Sequence, residues 1–282
     1  MFGFLNIYKP KDITSHDVVS YLRRVTKIKQ IGHTGTLDPF AEGVLPVCIG
    51  KSTRLIEYLS DDKAYIATVQ FGKTTDTYDI EGEVLSESDI KVKEDELLSA
   101  LTKYRGEIEQ IPPKYSAIKV NGKKLYEYAR AGVEVEIKPR KVVIEEIKLL
   151  SFDSNLQTAE IYIKCSKGTY IRTIGYDLGQ DLGCGAYLSG LKRVQAGDFS
   201  VEDSIPLYDL KTVEDVEKNL IPPIDKLPLK KVILDDNEYK RVSNGMPIKS
   251  NETGLVALIF SNSLTAVGIG DSQQIKVKKF VG

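Results

Sequence analysis

Apolar residues recur along the chain at two spacings, and the spacing changes several times. Residues 4–9 (FLNIYK) form a short apolar run and predict a strand. In residues 15–26, Val18, Val19, Leu22 and Val25 recur at helical spacing, and Thr14 with Asp17 supplies a capping-box start. Residues 31–43 (IGHTGTLDPFAEG) break the pattern with glycines and predict a loop. Residues 44–49 (VLPVCI) predict a buried strand, 52–59 a short helix and 64–71 (AYIATVQF) a half-buried alternating strand. An amphipathic helix is predicted over 94–104. Segments 140–150 and 156–165 predict two strands joined by a polar turn. Gly168 then precedes a helix with the stripe Ile171, Ile174, Leu178 and Leu182, closed by Gly183 and Gly185. A further strand is predicted near 186–194.

The clearest break is IPPIDKLPLKK, residues 221–231, where Pro222, Pro223 and Pro228 disfavour regular structure. About fifty residues of short strands and turns follow, too few for a large core, and predict a small all-β appendage. The expected division is a main domain over 1–225 and a module over 229–282. At 282 residues, one large domain with an appendage fits the usual domain size.

Charge narrows the function. With 39 basic and 40 acidic residues, the net charge is −1, so any nucleic acid must be held by local patches. The three scattered cysteines argue against a disulfide framework and point to a reducing compartment, hence the cytoplasm. Two histidines and three cysteines without close pairs leave little from which to build a metal site. No segment approaches the roughly 18–20 apolar residues that span a bilayer, so no membrane partner is expected.

The densest chemistry lies in QIGHTGTLDPFAEGVLPVCIGKSTRL, residues 30–55. Asp38 sits between Leu37 and Pro39–Phe40, in a loop bounded by Gly32, Gly35 and Gly43, with His33, Thr34 and Thr36 beside it. A carboxylate in that setting suits a nucleophile or an acid–base group. An Asp before Pro is also a common turn residue. The GKST at 50–53 is not a phosphate-binding loop: that motif needs a glycine five residues before Gly50, where Leu45 stands.

GHTGTLDP resembles the signature of the TruB family of tRNA pseudouridine synthases. Three further blocks are similar and in family order: KAYIATVQFGKTTDTYDIEGEV (63–84), IEQIPPKYSAIKVNGKKLYEYARAG (108–132) and CSKGTYIRTIGYDLGQDLGCGAYLSGLKR (165–193). The opening NIYKPKDITSHDVV fits as well. The likeness spans about residues 3–200, and the last fifty residues resemble a PUA-type RNA-binding module loosely, best at KRVSNGMPI (240–248).

The resemblance implies an α+β fold, with a mixed, largely antiparallel central sheet, flanking helices and a small all-β PUA-like module. It implies isomerisation of uridine 55 in the T-arm of tRNA, with neither cofactor nor metal. By motif position, Asp38 would be the catalytic nucleophile and Arg172 its partner. Tyr65 would stack on the target base, and its hydroxyl would help to remove the C5 proton. Tyr170, Leu191 and His33 would complete the RNA-binding positions, and Asp79 would play a supporting role. Taken alone, Tyr65 reads as a core tyrosine on an alternating strand, Leu191 as a core leucine and Arg172 as a solvated arginine. Arg172 and Tyr170 are expected to flank the apolar stripe of their helix.

Residues 112–131 carry Lys114, Lys119, Lys123, Lys124 and Arg130 against the single acid Glu127, interleaved with Tyr115, Tyr126 and Tyr128. Cations with aromatics suit RNA. In the family this stretch is a mobile thumb over the T-arm, so Lys119, Lys123 and Lys124 are candidate RNA contacts. Lys276, Lys278 and Lys279 suggest a second basic patch, with the acids at 214–217 and 235–238 turned away from RNA. The KVNGKKLYEYAR block favours the stand-alone bacterial type, so a monomer without guide RNA is expected.

Overall fold

The computed structural model describes residues 1–282. In chain order its first elements are β1 (Gly3–Lys9), α1 (Ser15–Thr26), β2 (Ile31–His33), β3 (Glu42–Ile49), β4 (Lys63–Phe71), β5 (Lys73–Thr75), β6 (Val84–Glu87), α2 (Glu94–Leu101), β7 (Gly106–Gln110), β8 (Lys119–Val120), β9 (Lys123–Lys124) and α3 (Leu125–Arg130). There follow β10 (Arg140–Asp153), β11 (Thr158–Cys165), α4 (Ile171–Asp181), β12 (Ala186–Ala196), β13 (Phe199–Ser200), β14 (Ile205–Pro206) and α5 (Val213–Lys218). The last are β15 (Lys230–Ile233), α6 (Asp236–Ser243), β16 (Ile248–Lys249), β17 (Thr253–Phe260), β18 (Ser263–Asp271) and β19 (Gln274–Phe280). No helix is long and apolar enough to cross a membrane.

The chain groups into two compact units. One comprises residues 1–37, 45–60 and 197–282; the other comprises 38–44 and 61–196. Both flanks of the proline-rich segment 221–231 therefore fall in the first unit.

The second unit holds the strand order β3-β12-β4-β11-β10-β7, antiparallel except for β3 with β12. Alternation on β4 puts Tyr65, Ala67, Val69 and Phe71 on one buried face. Leu188, Leu191 and Arg193 of β12 lie opposite Val69, Ala67 and Tyr65. Helix α4 packs over this face so closely that a Cβ on Gly175 would lie 2.7 Å from a Leu188 methyl. Five consecutive residues at its start, Ile171 to Gly175, are buried, so Arg172 lies inside and does not flank the stripe.

In the first unit, the expected capping box of α1 is present. The Asp17 amide donates to the Thr14 hydroxyl at 3.1 Å, and the Thr14 amide donates to Asp17 at 2.8 Å. Residues 31–43 are less irregular than predicted. Strand β2 pairs with β3 (Ile31 opposite Ile49, His33 opposite Val47), and β3 starts at Glu42. The helix predicted over 52–59 is a 3-10 helix, Gly50–Tyr58, and the last turn of the helix predicted to 104 is also 3-10, Thr102–Tyr104.

The C-terminal segment forms a five-stranded sheet, β15-β17-β18-β19-β16, around Leu234, Val242, Ile248, Val256, Leu258, Ala266 and Ile275. One helix, α6, packs onto it, with Tyr239 stacked on Phe260 at 4.1 Å. The acids at 214–217 and 235–238 have a local task. Asp215 and Glu238 complete capping boxes with Thr212 and Asp235 at the starts of α5 and α6. The C-terminal lysines are also engaged: Lys279 pairs with Glu57 at 2.9 Å, Lys276 with Asp271 at 3.8 Å, and Lys278 lies over the Tyr58 ring.

Candidate active site

Asp38 opens a tight turn in which its own backbone carbonyl accepts from the Ala41 amide at 3.2 Å. Its side chain is not used as the turn's cap. It meets Arg172 in a two-point contact, with Nε to Oδ2 at 3.0 Å and Nη2 to Oδ1 at 3.4 Å. About a third of the carboxylate side chain stays accessible (35 %), whereas that of Arg172 is 6 % accessible.

A guanidinium has five N–H donors in a fixed plane, and Arg172 uses them in three hydrogen bonds and two further ion-pair contacts. Two go to Asp38. Nη1 faces Asp79 Oδ2 at 3.2 Å and the Thr77 carbonyl at 2.9 Å, and the last Nη2 hydrogen goes to the Tyr115 carbonyl at 2.9 Å. The buried cation thus meets two carboxylates and two backbone carbonyls, the compensation under which a charge can be taken out of water. Asp79 is itself buried. It accepts from the Thr77 hydroxyl at 2.6 Å and the Glu81 amide at 3.0 Å. Burial pushes its carboxyl up, against the opposing pull of Thr77 and Arg172. Tyr78, between these two residues, adopts a left-handed φ of 64°. Its ring stacks on Tyr176 of α4 at 3.9 Å, and its carbonyl accepts from the Leu188 amide, so the turn is fixed to α4 and β12.

Tyr65 is buried on β4, directly across the ladder from Arg193. Burial pushes its phenol up, while the charge of the Arg193 guanidinium pulls it down. Leu191 lies on the same face, diagonal to Tyr65 and buried. Tyr170 is the residue before α4. Its backbone is clamped by the buried Gln110 side chain, which donates to the Tyr170 carbonyl at 3.0 Å and accepts from its amide at 2.7 Å.

One unit therefore brings together Asp38, Tyr65, Arg172, Tyr170 and Leu191. His33 stands in the other unit, half-buried on β2. Lys119, Lys123 and Lys124 stand on the β8–β9 hairpin, in the unit that holds Asp38. Its turn, Asn121–Gly122, has positive φ at both residues, as a type I′ turn requires. Lys119 lies opposite Lys124, a like-charge pair that costs stability unless an anion intervenes. Lys124 and Arg130 both lie over the Tyr126 ring. A cavity of about 730 Å³ runs under this segment, lined by Tyr78, Tyr115, Tyr128 and Tyr176 among others, but not by Asp38, Tyr65 or Arg172.

Three features escaped the sequence reading: the direct Asp79–Arg172 pair, the backbone carbonyls of Thr77 and Tyr115 on the same cation, and the buried Arg193. Arg193 had a signal. It falls on the inward parity of β12 with Leu191, where alternation places an apolar residue. Arg172 and Arg193, both buried, are therefore closed as direct RNA contacts on the surface.

Residues 23–171 match the model described as TruB family pseudouridylate synthase (N terminal domain). Residues 172–235 match the tRNA pseudouridylate synthase B C-terminal domain. A tRNA pseudouridine synthase B of Clostridium perfringens (strain 13 / Type A) is 41 % identical, covering 100 % of this chain and 99 % of the relative. Its counterpart in Chromobacterium violaceum is 46 % identical over 88 % of this chain and 81 % of the relative. Among solved structures, a chain of a Cbf5–Nop10–Gar1 complex aligns with a TM-score of 0.73 and 27 % identity, covering 99 % of this chain and 84 % of that one. A chain of an H/ACA RNP bound to a substrate RNA containing 2'-deoxyuridine aligns with a TM-score of 0.74 at 25 % identity, with the same coverage. The chain belongs to the TruB family of tRNA pseudouridine synthases.

Proposed function

We propose that this synthase isomerises uridine 55 in the T-arm of tRNA, in the cytoplasm, as a monomer without a guide RNA, and that Asp38 is its nucleophile. The observation that carries the reading is the half-open Asp38 carboxylate paired with a buried guanidinium that a second carboxylate also holds. A fixed carboxylate suits stabilisation of positive charge at C1′ as the N1–C1′ bond breaks and the C5–C1′ bond forms. The uridine must leave its stack to reach it. Tyr65 and Leu191 line the base position, Tyr170 supports it, and His33 serves the RNA. The β8–β9 lysines hold phosphates, and residues 229–282 serve as an accessory RNA-binding module. The test is incubation of the protein alone with an unmodified tRNA transcript, followed by pseudouridine mapping along its length. Pseudouridine at position 55 supports the reading; modification elsewhere only, or a requirement for added RNA or protein, overturns it.

A further inference from the structure

Arg193 heads the fully buried side chains by volume, with none of its surface exposed. A guanidinium is costly to desolvate, so its place inside the sheet calls for a reason. Part of that reason is structural. Its Nε donates to the Val44 carbonyl at 2.7 Å, where β3 meets β12. The crossing is so tight that a Cβ on Gly43 (φ +105°) would lie 2.2 Å from the Arg193 carbonyl. Tyr65 is the direct cross-strand partner of Arg193 on the same buried face, where the positive charge favours the phenolate. A phenol, unlike a carbonyl, changes its chemistry beside a positive charge.

The geometry points to Arg193 as a positioning residue for Tyr65, whose guanidinium fixes the phenolic oxygen on the sheet face that carries Leu191. The inference rests on the synthase reading above. Three groups act on the phenol: Arg193 from β12, Cys165 from β11 and Asp38 from its loop. Lys63 of β4 is the further cation beside Arg193. Burial disfavours the phenolate, and of the three only Arg193 favours it. The closing step of the isomerisation uses that form. The C5 proton passes to the phenolate oxygen, the C–H electron pair becomes the C5–C6 double bond, and N1 takes a proton from water. The hydroxide left behind returns the phenol to phenolate.

Tyrosine labelled with 13C at Cζ reports the ionisation of Tyr65 by NMR, and the signal lost in Tyr65→Phe assigns it. Arg193→Gln is expected to move that titration to higher pH and to cut turnover at saturating tRNA by about tenfold or more. Affinity for tRNA should stay within about twofold. In a Tyr65→Phe background, Arg193→Gln should cost less than about twofold further, because the group it acts through is gone. An unmoved titration, or the same loss of turnover in both backgrounds, overturns the inference. Should Arg193→Gln fail to fold, Arg193→Lys in the same two backgrounds decides: a non-additive loss supports the inference and an additive one overturns it. The titration needs no turnover, so a failure of the synthase reading would leave it readable.

Discussion

Arg172 organises the candidate site because its guanidinium contacts acceptors from three separate stretches of chain, around Asp38, Thr77–Asp79 and Tyr115. A lysine keeps the charge but has three donors and no planar fork. Arg172→Lys should therefore lower turnover by about 100-fold, the scale of losing an oriented electrostatic contact. tRNA affinity should stay within about tenfold, because the group is buried. Near-native single-turnover rates would show that the fork is not needed. At Tyr65, removing only the hydroxyl would separate the proposed stacking from the proposed proton transfer. Tyr65→Phe should keep tRNA affinity and slow turnover, whereas Tyr65→Ala should lose both, stacking being worth about 1–3 kcal/mol. Equal, near-native rates in both variants would make Tyr65 a plain core residue. The sequence marked Asp38, Tyr65 and Arg172 through motifs and read Tyr65 as a core tyrosine, but it did not show the burial of Arg172. Arg172 reads as a surface cation until the acids and carbonyls that satisfy it are placed around it, and those come from positions 38, 77, 79 and 115, far apart in the chain.

Among the elements, the β8–β9 hairpin combines a strong local signal with a local conflict. Asn121–Gly122 sets its turn, while Lys119 and Lys124 face each other across it. A polyanion would relieve that repulsion, and each neutralised phosphate releases counterions. Replacing Lys119, Lys123 and Lys124 with Ala should weaken tRNA binding and flatten its dependence on salt, with a smaller effect on turnover at saturating tRNA. Parallel salt slopes and unchanged affinity in a titration against ionic strength would make the hairpin a solvated surface. Helix α1 was legible because its cap and its apolar stripe agree. Strand β2 was not, because three residues in a glycine-rich stretch carry no period and owe their conformation to β3. Helix α6 was hidden for a related reason: of the eight residues DNEYKRVS, only Val242 is buried.

For the molecule as a whole, stability responds to pH through a carboxyl on α4 other than Asp38. Burial, reinforced by the charge of Asp181 one turn on, pushes Asp177 up from its ordinary 3.8 to about 6. The folded state thus holds this proton more tightly than the unfolded chain. The benefit is complete below about pH 4 and is lost as pH rises through about 6. Asp177→Asn should therefore gain stability relative to the parent between pH 4 and 6.5, reaching roughly 1–3 kcal/mol at neutral pH. Denaturant unfolding across that range checks it, and a pH-independent difference would refute it. The net charge of −1 carries a further consequence. The whole molecule supplies no general attraction for RNA, so recognition and chemistry rest on separate local groups and can be separated by mutation. The most direct test exploits this at Asp38, comparing the parent chain with Asp38→Asn for both tRNA affinity and pseudouridine at position 55. The expected result is affinity within about tenfold, or roughly 1.4 kcal/mol, with no pseudouridine formed even at enzyme excess. Substantial pseudouridine at position 55 from Asp38→Asn would contradict the account.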